Sequence, residues 1–260
     1  MLDSVLADLA AEGDEMETRV AGLDESGWRT PTPARGWDVA TSVAHLAWTD
    51  RCAIAAATDK RAWDDLVVAA VADSDGFVDA QAYAGARAPG TAILADWQRG
   101  RGRLAEVLRE VPAGHKLPWF GPPMSPASMA TARFMETWAH GLDVAEGLGL
   151  AVEPTDRIRH VAHIGVRTRD FAFGNHGLEP PSDEFRVDLV SPSGDTWAWG
   201  PEAAAQTVTG SAYDFCLLVT QRRNRADVDL VAEGAEATTW LEIAQAFAGP
   251  PGKGREAAHG

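Results

Sequence analysis

The stretch Met129-Ala-Thr-Ala-Arg-Phe-Met-Glu-Thr-Trp-Ala-His-Gly-Leu-Asp143 restricts the folds open to this chain more than any other segment. Met129, Ala132, Glu136, Ala139, His140 and Asp143 recur at intervals of three and four, so in a helix they share one face. A carboxylate and an imidazole set into an apolar stripe are expensive to bury unless something pairs with them. A divalent metal is one such partner, since two ligands one helical turn apart commonly hold an ion. A solvated helix face without metal is the other reading of Glu136-x-x-x-His140, and the motif alone leaves both open.

Length and charge narrow the classes. A chain of 260 residues can form one large domain or two modest ones, each with a real core. A formal charge of −15 argues against nucleic acid and against anionic membrane surfaces as partners. No apolar run reaches the length of a membrane span, and the N-terminus lacks the basic and apolar regions of a signal peptide. Cys52 and Cys216 are the two cysteines and lie far apart, which speaks against a disulfide framework and for a reducing cytoplasm. Nothing demands more than a monomer, with a homodimer as the alternative, and a small molecule is the expected substrate.

Along the chain, apolar periodicity predicts a helix over 2–22. Two prolines exclude a helix from the connector Thr30–Gly36. Asp38 is placed to cap a helix over 39–58, with His45 in its middle on a stripe with Thr41, Trp48, Thr49 and Cys52. A short helix over 61–72, a loop over 76–90 and a long helix over 91–111 follow. A second loop, 115–126, carries Trp119 and Phe120. Ser125 as N-cap and Pro126 in the first helical position then open the helix that contains Glu136. Four long helices in residues 1–152 predict a four-helix bundle, a fold whose core accepts metal sites from facing helices. His45 and the Glu136/His140 pair lie near mid-helix on inward stripes, where they can meet.

The pattern changes after residue 152. A linker leads to a helix ending near 173. A strand over 185–190, the turn Ser191-Pro-Ser-Gly194 and a return strand over 196–199 form a hairpin. One strand and one helix are expected within 203–220, a further strand over 227–231 and a closing helix over 238–247. Residues 153–250 thus read as a small α+β domain, and 251–260 as a disordered tail.

Three segments together resemble a known family: Gly36-Trp-Asp-Val-Ala-Thr-Ser-Val-Ala-His45-Leu, Glu136-Thr-Trp-Ala-His140-Gly-Leu-Asp143, and the C-terminal hairpin followed by Leu217-Leu-Val-Thr-Gln-Arg222. The chain is similar to the DinB-type metal-dependent thiol transferases, in the mycothiol-dependent maleylpyruvate isomerase branch. The resemblance implies a DinB-like bundle joined to a small α+β domain of sterol-carrier type. It implies His45, Glu136 and His140 as ligands of zinc or another divalent metal, and mycothiol as the thiol cofactor. It also implies an arginine of the second domain that binds substrate carboxylate. Arg222 is the matching position, although Gln221-Arg-Arg-Asn-Arg225 departs from the family's Gly-Arg and makes Arg223 the competitor. The closing Trp240–Pro251 segment suggests a distinct subfamily of metal-binding proteins.

The chemistry expected from this set is thiol transfer or thiol-assisted isomerisation, because a metal-bound thiol loses its proton and the thiolate is the nucleophile. Arg222 would orient an anionic substrate by a bidentate contact, and Asp143 would accept an imidazole N–H behind the metal. The alternative is a hydrolase or lyase that uses metal-bound water without thiol. A carrier protein with a structural metal is a third reading. Cys52 lies two turns from His45, too far along the helix to share its ion, and reads as a core cysteine. His160 and His163 read as structural or surface histidines. Trp37, Trp48 and Trp138 are expected in the core around the ligands, with Trp119 and Phe120 either at a substrate mouth or anchoring their loop.

Overall fold

The computed structural model describes residues 1–74, 76–252 and 254–258. The chain divides into two compact units, Met1–Val152 and Glu153–Gly260. The first is helical. Its elements are α1 (Leu2–Val20), α2 (Glu25–Trp28), α3 (Val39–Thr58), α4 (Lys60–Ala72), α5 (Phe77–Gly85), α6 (Gly90–Glu110) and α7 (Pro126–Gly147).

Two of these helices have almost no solvent face. α3 is buried at every position from Val39 to Asp50, and α7 from Met129 to Ala145 except at Glu136. A helix apolar all round is stable only when neighbours cover it on every side. α3 accordingly packs against α5, α6 and α7, while α1 lies along α7. Side-chain caps start both helices: Asp38 Oδ1 accepts from Thr41 N at 2.7 Å, and Ser125 Oγ accepts from Ser128 N at 3.1 Å, with Pro126 in the first turn. One core cluster joins Met16, Val20, Trp28, Val43, Leu46, Ile93, Trp97 and Val144, and a second joins Val5, Leu6, Leu104, Leu108, Leu117 and Met129. The end of α7 meets the proline-rich connector so closely that a Cβ at Gly147 would stand 2.6 Å from Pro31 O.

The segment 76–90, read as a loop, contains the two-turn helix α5. Its flanking glycines resemble loop punctuation, and two turns are too short to show a period. Packing supplies what propensity does not: Phe77 is buried in a cluster with Trp48 and Cys52, and Ala82 is fully buried.

The second unit begins with a 3₁₀ turn (Asp156–Ile158), α8 (Arg159–Arg167) and α9 (Arg169–Asn175). The single helix expected here is interrupted at Thr168, whose hydroxyl bonds the carbonyls of Ile164 and Gly165 and competes with the helical ladder. Then come β1 (Arg186–Val190), β2 (Thr196–Trp199), β3 (Thr207–Ser211), α10 (Ala212–Val219), β4 (Leu230–Glu233) and α11 (Ala235–Ile243). The sheet order is β2-β1-β3-β4, with β1 and β3 parallel and both edge strands antiparallel. The β1–β2 hairpin pairs Val190 with Thr196 across a turn at Gly194, which has φ +95°. Val187 and Leu189 of β1 point inward, joined by Val208, Phe215, Cys216 and Trp240 in the core. The last strand starts later than the periodicity suggests, because Asn224 caps a 3₁₀ turn over Arg225–Asp227 through Ala226 N. α11 likewise runs 235–243 rather than 238–247.

Within the tail read as disordered, Asn224 Nδ2 donates to Arg255 O at 2.9 Å and Ala258 N donates to Asp227 Oδ2 at 2.8 Å. Lys253, His259 and Gly260 of that tail lie outside the described residues.

Candidate metal centre

His45 comes from the middle of α3, and Glu136 and His140 from successive turns of α7. Where the two helices face each other, Glu136 Oε2 lies 3.2 Å from His45 Nε2 and 3.4 Å from His140 Nε2. One ligand atom from each of the three residues falls within a 4.8 Å span. Donors on a tetrahedral ion at bond lengths of about 2.05 Å are separated by about 3.3 Å, so both pairs that include Glu136 are already at ligand spacing. The donor set, two imidazoles and one carboxylate, suits zinc and other divalent first-row metals. Three protein ligands leave a position for a further group. The Glu136 side chain keeps 20% of its surface exposed against 8% for His45 and 11% for His140, so the cluster reaches solvent on the Glu136 side.

The electrostatics agree with that chemistry. Burial pushes the His45 imidazole down to about 4, against hydrogen bonding from Glu136 that raises it. A neutral imidazole is the form that binds a metal. Burial raises Glu136, but the hydrogen bonds from His140 and His45 outweigh it and hold the carboxyl well below its usual range. Asp143, almost fully buried, places Oδ2 3.3 Å from His140 Nδ1. A carboxylate there holds the ring by its Nδ1 side and leaves Nε2 as the atom that faces Glu136 and His45, the one that would give up its proton to a metal.

Aromatic side chains wall the cluster. Trp37 stacks on His140 at 5.4 Å between ring centroids and also approaches His45 at 5.1 Å. Its Nε1 donates to Asp79 Oδ1 at 3.0 Å, so the helix missed in the sequence helps hold this ring. Trp48 follows at 6.0 Å from His45 and continues into Phe77 and Phe120. Trp119 and Phe120 pack on Trp63 from a loop closed by the Leu117–Met124 bridge, with Phe120 37% exposed. Trp138 is buried on another face.

Other sequence candidates lie elsewhere. Cys52 is buried, and burial pushes its thiol up to about 12, which makes it a core side chain rather than a ligand. His163 is at the surface of the second unit, where Trp199 Nε1 donates to its Nδ1 at 3.3 Å. Arg222, also in the second unit, follows Gln221, a non-glycine residue at φ +58° that terminates α10, and its Nη1 donates to Thr220 O at 2.7 Å. Arg223 instead lines a small cavity of about 120 Å³ with Gln221, Asn224, Arg225 and Arg255.

Sequence reasoning passed over Arg133. It sits one turn before Glu136, 1% exposed, and donates from Nε to Asp50 Oδ1 at 3.0 Å and from Nη2 to Thr49 Oγ1. The signal was present: an arginine inside an apolar helix needs a buried acceptor, and Asp50 ends the buried run of the other largely buried helix.

Comparison with known proteins places these features. Residues 9–145 match the family model described as mycothiol maleylpyruvate isomerase N-terminal domain, and residues 181–233 match one described as wyosine base formation. Uncharacterized proteins from two strains of Mycobacterium tuberculosis are each 56% identical over 250 residues, covering 96% of this chain and 97% of theirs. The crystal structures of the mycothiol-dependent maleylpyruvate isomerase and of a histidine-to-alanine mutant of it superpose with a TM-score of 0.58 at 15% identity, over 91% of this chain and 95% of theirs. A helical N-terminal region with a small C-terminal sheet-and-helix region is the architecture of that fold. No helix among the described residues is long and apolar enough to cross a membrane.

Proposed function

This chain belongs to the mycothiol maleylpyruvate isomerase N-terminal domain family, and from that premise we propose that it is a metal-dependent enzyme working on a small electrophile with a low-molecular-weight thiol, mycothiol. The reaction is transfer of the thiol to that substrate or thiol-assisted isomerisation of it, in the cytoplasm. One observation carries the reading: His45, Glu136 and His140, which a helical period alone cannot bring together, converge at ligand spacing with a side open to solvent.

In this reading α1, α3, α6 and α7 form a DinB-like four-helix bundle, and the second unit is a sterol-carrier-like domain. His45, Glu136 and His140 would hold zinc or a related divalent ion, which when bound supplies a Lewis-acidic centre that acidifies a thiol. The chain's own residues do the rest. Asp143 fixes the His140 ring through its Nδ1 proton. Trp37 and Trp48 keep water from the imidazole side of the cluster and lower the local dielectric there. Arg222 orients an anionic substrate by a bidentate contact with its carboxylate.

Calorimetric titration of mycothiol into protein shown to hold stoichiometric zinc tests this, with His45→Ala as control. Binding that vanishes in the variant is the expected result. Zinc-loaded protein that does not bind the thiol overturns the thiol-dependent reading and leaves hydrolase or lyase chemistry with water.

A further inference from the structure

We infer that the buried Arg133–Asp50 ion pair is a positioning element of the metal centre: it sets the axial register of α7 against α3, and through Thr49 it fixes the backbone turn that carries His45. The inference rests on the metal reading of His45, Glu136 and His140.

The contacts form a ladder. On α7, Arg133 precedes Glu136 by one turn, and on α3, Thr49 follows His45 by one turn. The helices run antiparallel, so Arg133 meets Thr49 and Asp50 while Glu136 meets His45. The two rungs are thus separated by about one helical pitch, roughly 5.4 Å. The Arg133 guanidinium spends Nε on Asp50 and Nη2 on Thr49, and Thr49 Oγ1 in turn donates to His45 O at 2.8 Å. A planar fork held at two points on one helix gives the contact a direction as well as a distance. Metal bonds need comparable control, since ligand distances must hold to within about 0.2 Å.

Stability alone gives the fold little use for this pair. Two charges at 2% and 6% side-chain exposure carry a desolvation cost, and apolar side chains of similar volume usually serve a core as well or better. What an apolar pair cannot supply is direction, because hydrocarbon contacts allow small shifts along the helix axis.

The test compares wild type with the apolar double variant Arg133→Met/Asp50→Leu, which leaves no orphaned charge. Cobalt(II) serves as probe, with affinity from competition against a chromophoric chelator and geometry from the ligand-field spectrum. We expect the double variant to fold with a thermal midpoint at or above wild type, yet to bind cobalt about 10–100-fold more weakly with an altered spectrum. A folded double variant with wild-type affinity and spectrum overturns the inference while leaving the metal reading intact. Failure of wild type itself to bind cobalt sinks both. Should the double variant not fold, Arg133→Lys decides: it keeps a positive charge beside Asp50 and removes the planar fork that joins Asp50 to Thr49. A shifted cobalt spectrum with weaker binding supports the inference, and an unchanged one overturns it.

Discussion

Acidification of the metal-free protein tests the electrostatics of the site most directly. Burial lowers His45 from 6.5 to about 4 in the folded chain, whereas the unfolded chain titrates near the ordinary value. Between those values the unfolded state binds the proton that the folded state refuses, so stability is present above the unfolded pKa and is lost as pH falls toward the folded one. Integrated from about pH 7 to about pH 5, this difference removes about 2 kcal/mol. Glu136 adds little over that range, because its carboxyl begins to matter only near its unfolded value of 4.5. Urea unfolding of chelator-treated protein at the two pH values measures the loss. With a slope of about 2 kcal/mol per molar, the midpoint should drop by roughly 1 M in wild type. His45→Gln removes the titrating ring and should show a clearly smaller shift. Equal midpoint shifts in wild type and His45→Gln would refute the claim that burial holds this imidazole neutral.

Further outcomes follow from the same geometry. Glu136→Ala should abolish stoichiometric zinc binding measured by atomic emission, whereas Cys52→Ser should leave it intact because that thiol is a core side chain. Asp143→Asn keeps the shape but removes the charge facing His140 Nδ1, and should weaken zinc about 10–100-fold in chelator competition. Arg222→Ala should raise KM for an anionic substrate without changing zinc content, and unchanged steady-state kinetics would remove Arg222 from substrate binding. In the second unit, a Cβ at Gly165 would stand 2.9 Å from Val219 Cγ2 and 3.0 Å from Phe215 Cε1, so Gly165→Ala should cost about 1–3 kcal/mol in denaturant titration.

Local chemistry made much of this molecule readable in one dimension. Asp38 and Ser125-Pro126 mark the starts of α3 and α7 because a cap is a matter of three or four adjacent residues. The spacing of Glu136, His140 and Asp143 places them on one stripe for the same reason, and Ser191–Gly194 turns the hairpin with residues that favour a turn. What the sequence could not decide needed contacts between segments far apart in the chain. α5 exists because Phe77 and Ala82 find a surface on its neighbours, although its own nine residues carry too little period to declare a helix. The approach of His45 to Glu136, ninety-one positions away, depends on how α3 and α7 pack. Arg133 is the sharpest instance: its residue type announces that a partner must exist, but only the antiparallel register of two buried helices determines that the partners are Asp50 and Thr49. Periodicity fixes a side chain's angle around its own helix, whereas the distance to another helix is set by packing, and metal chemistry depends on that distance.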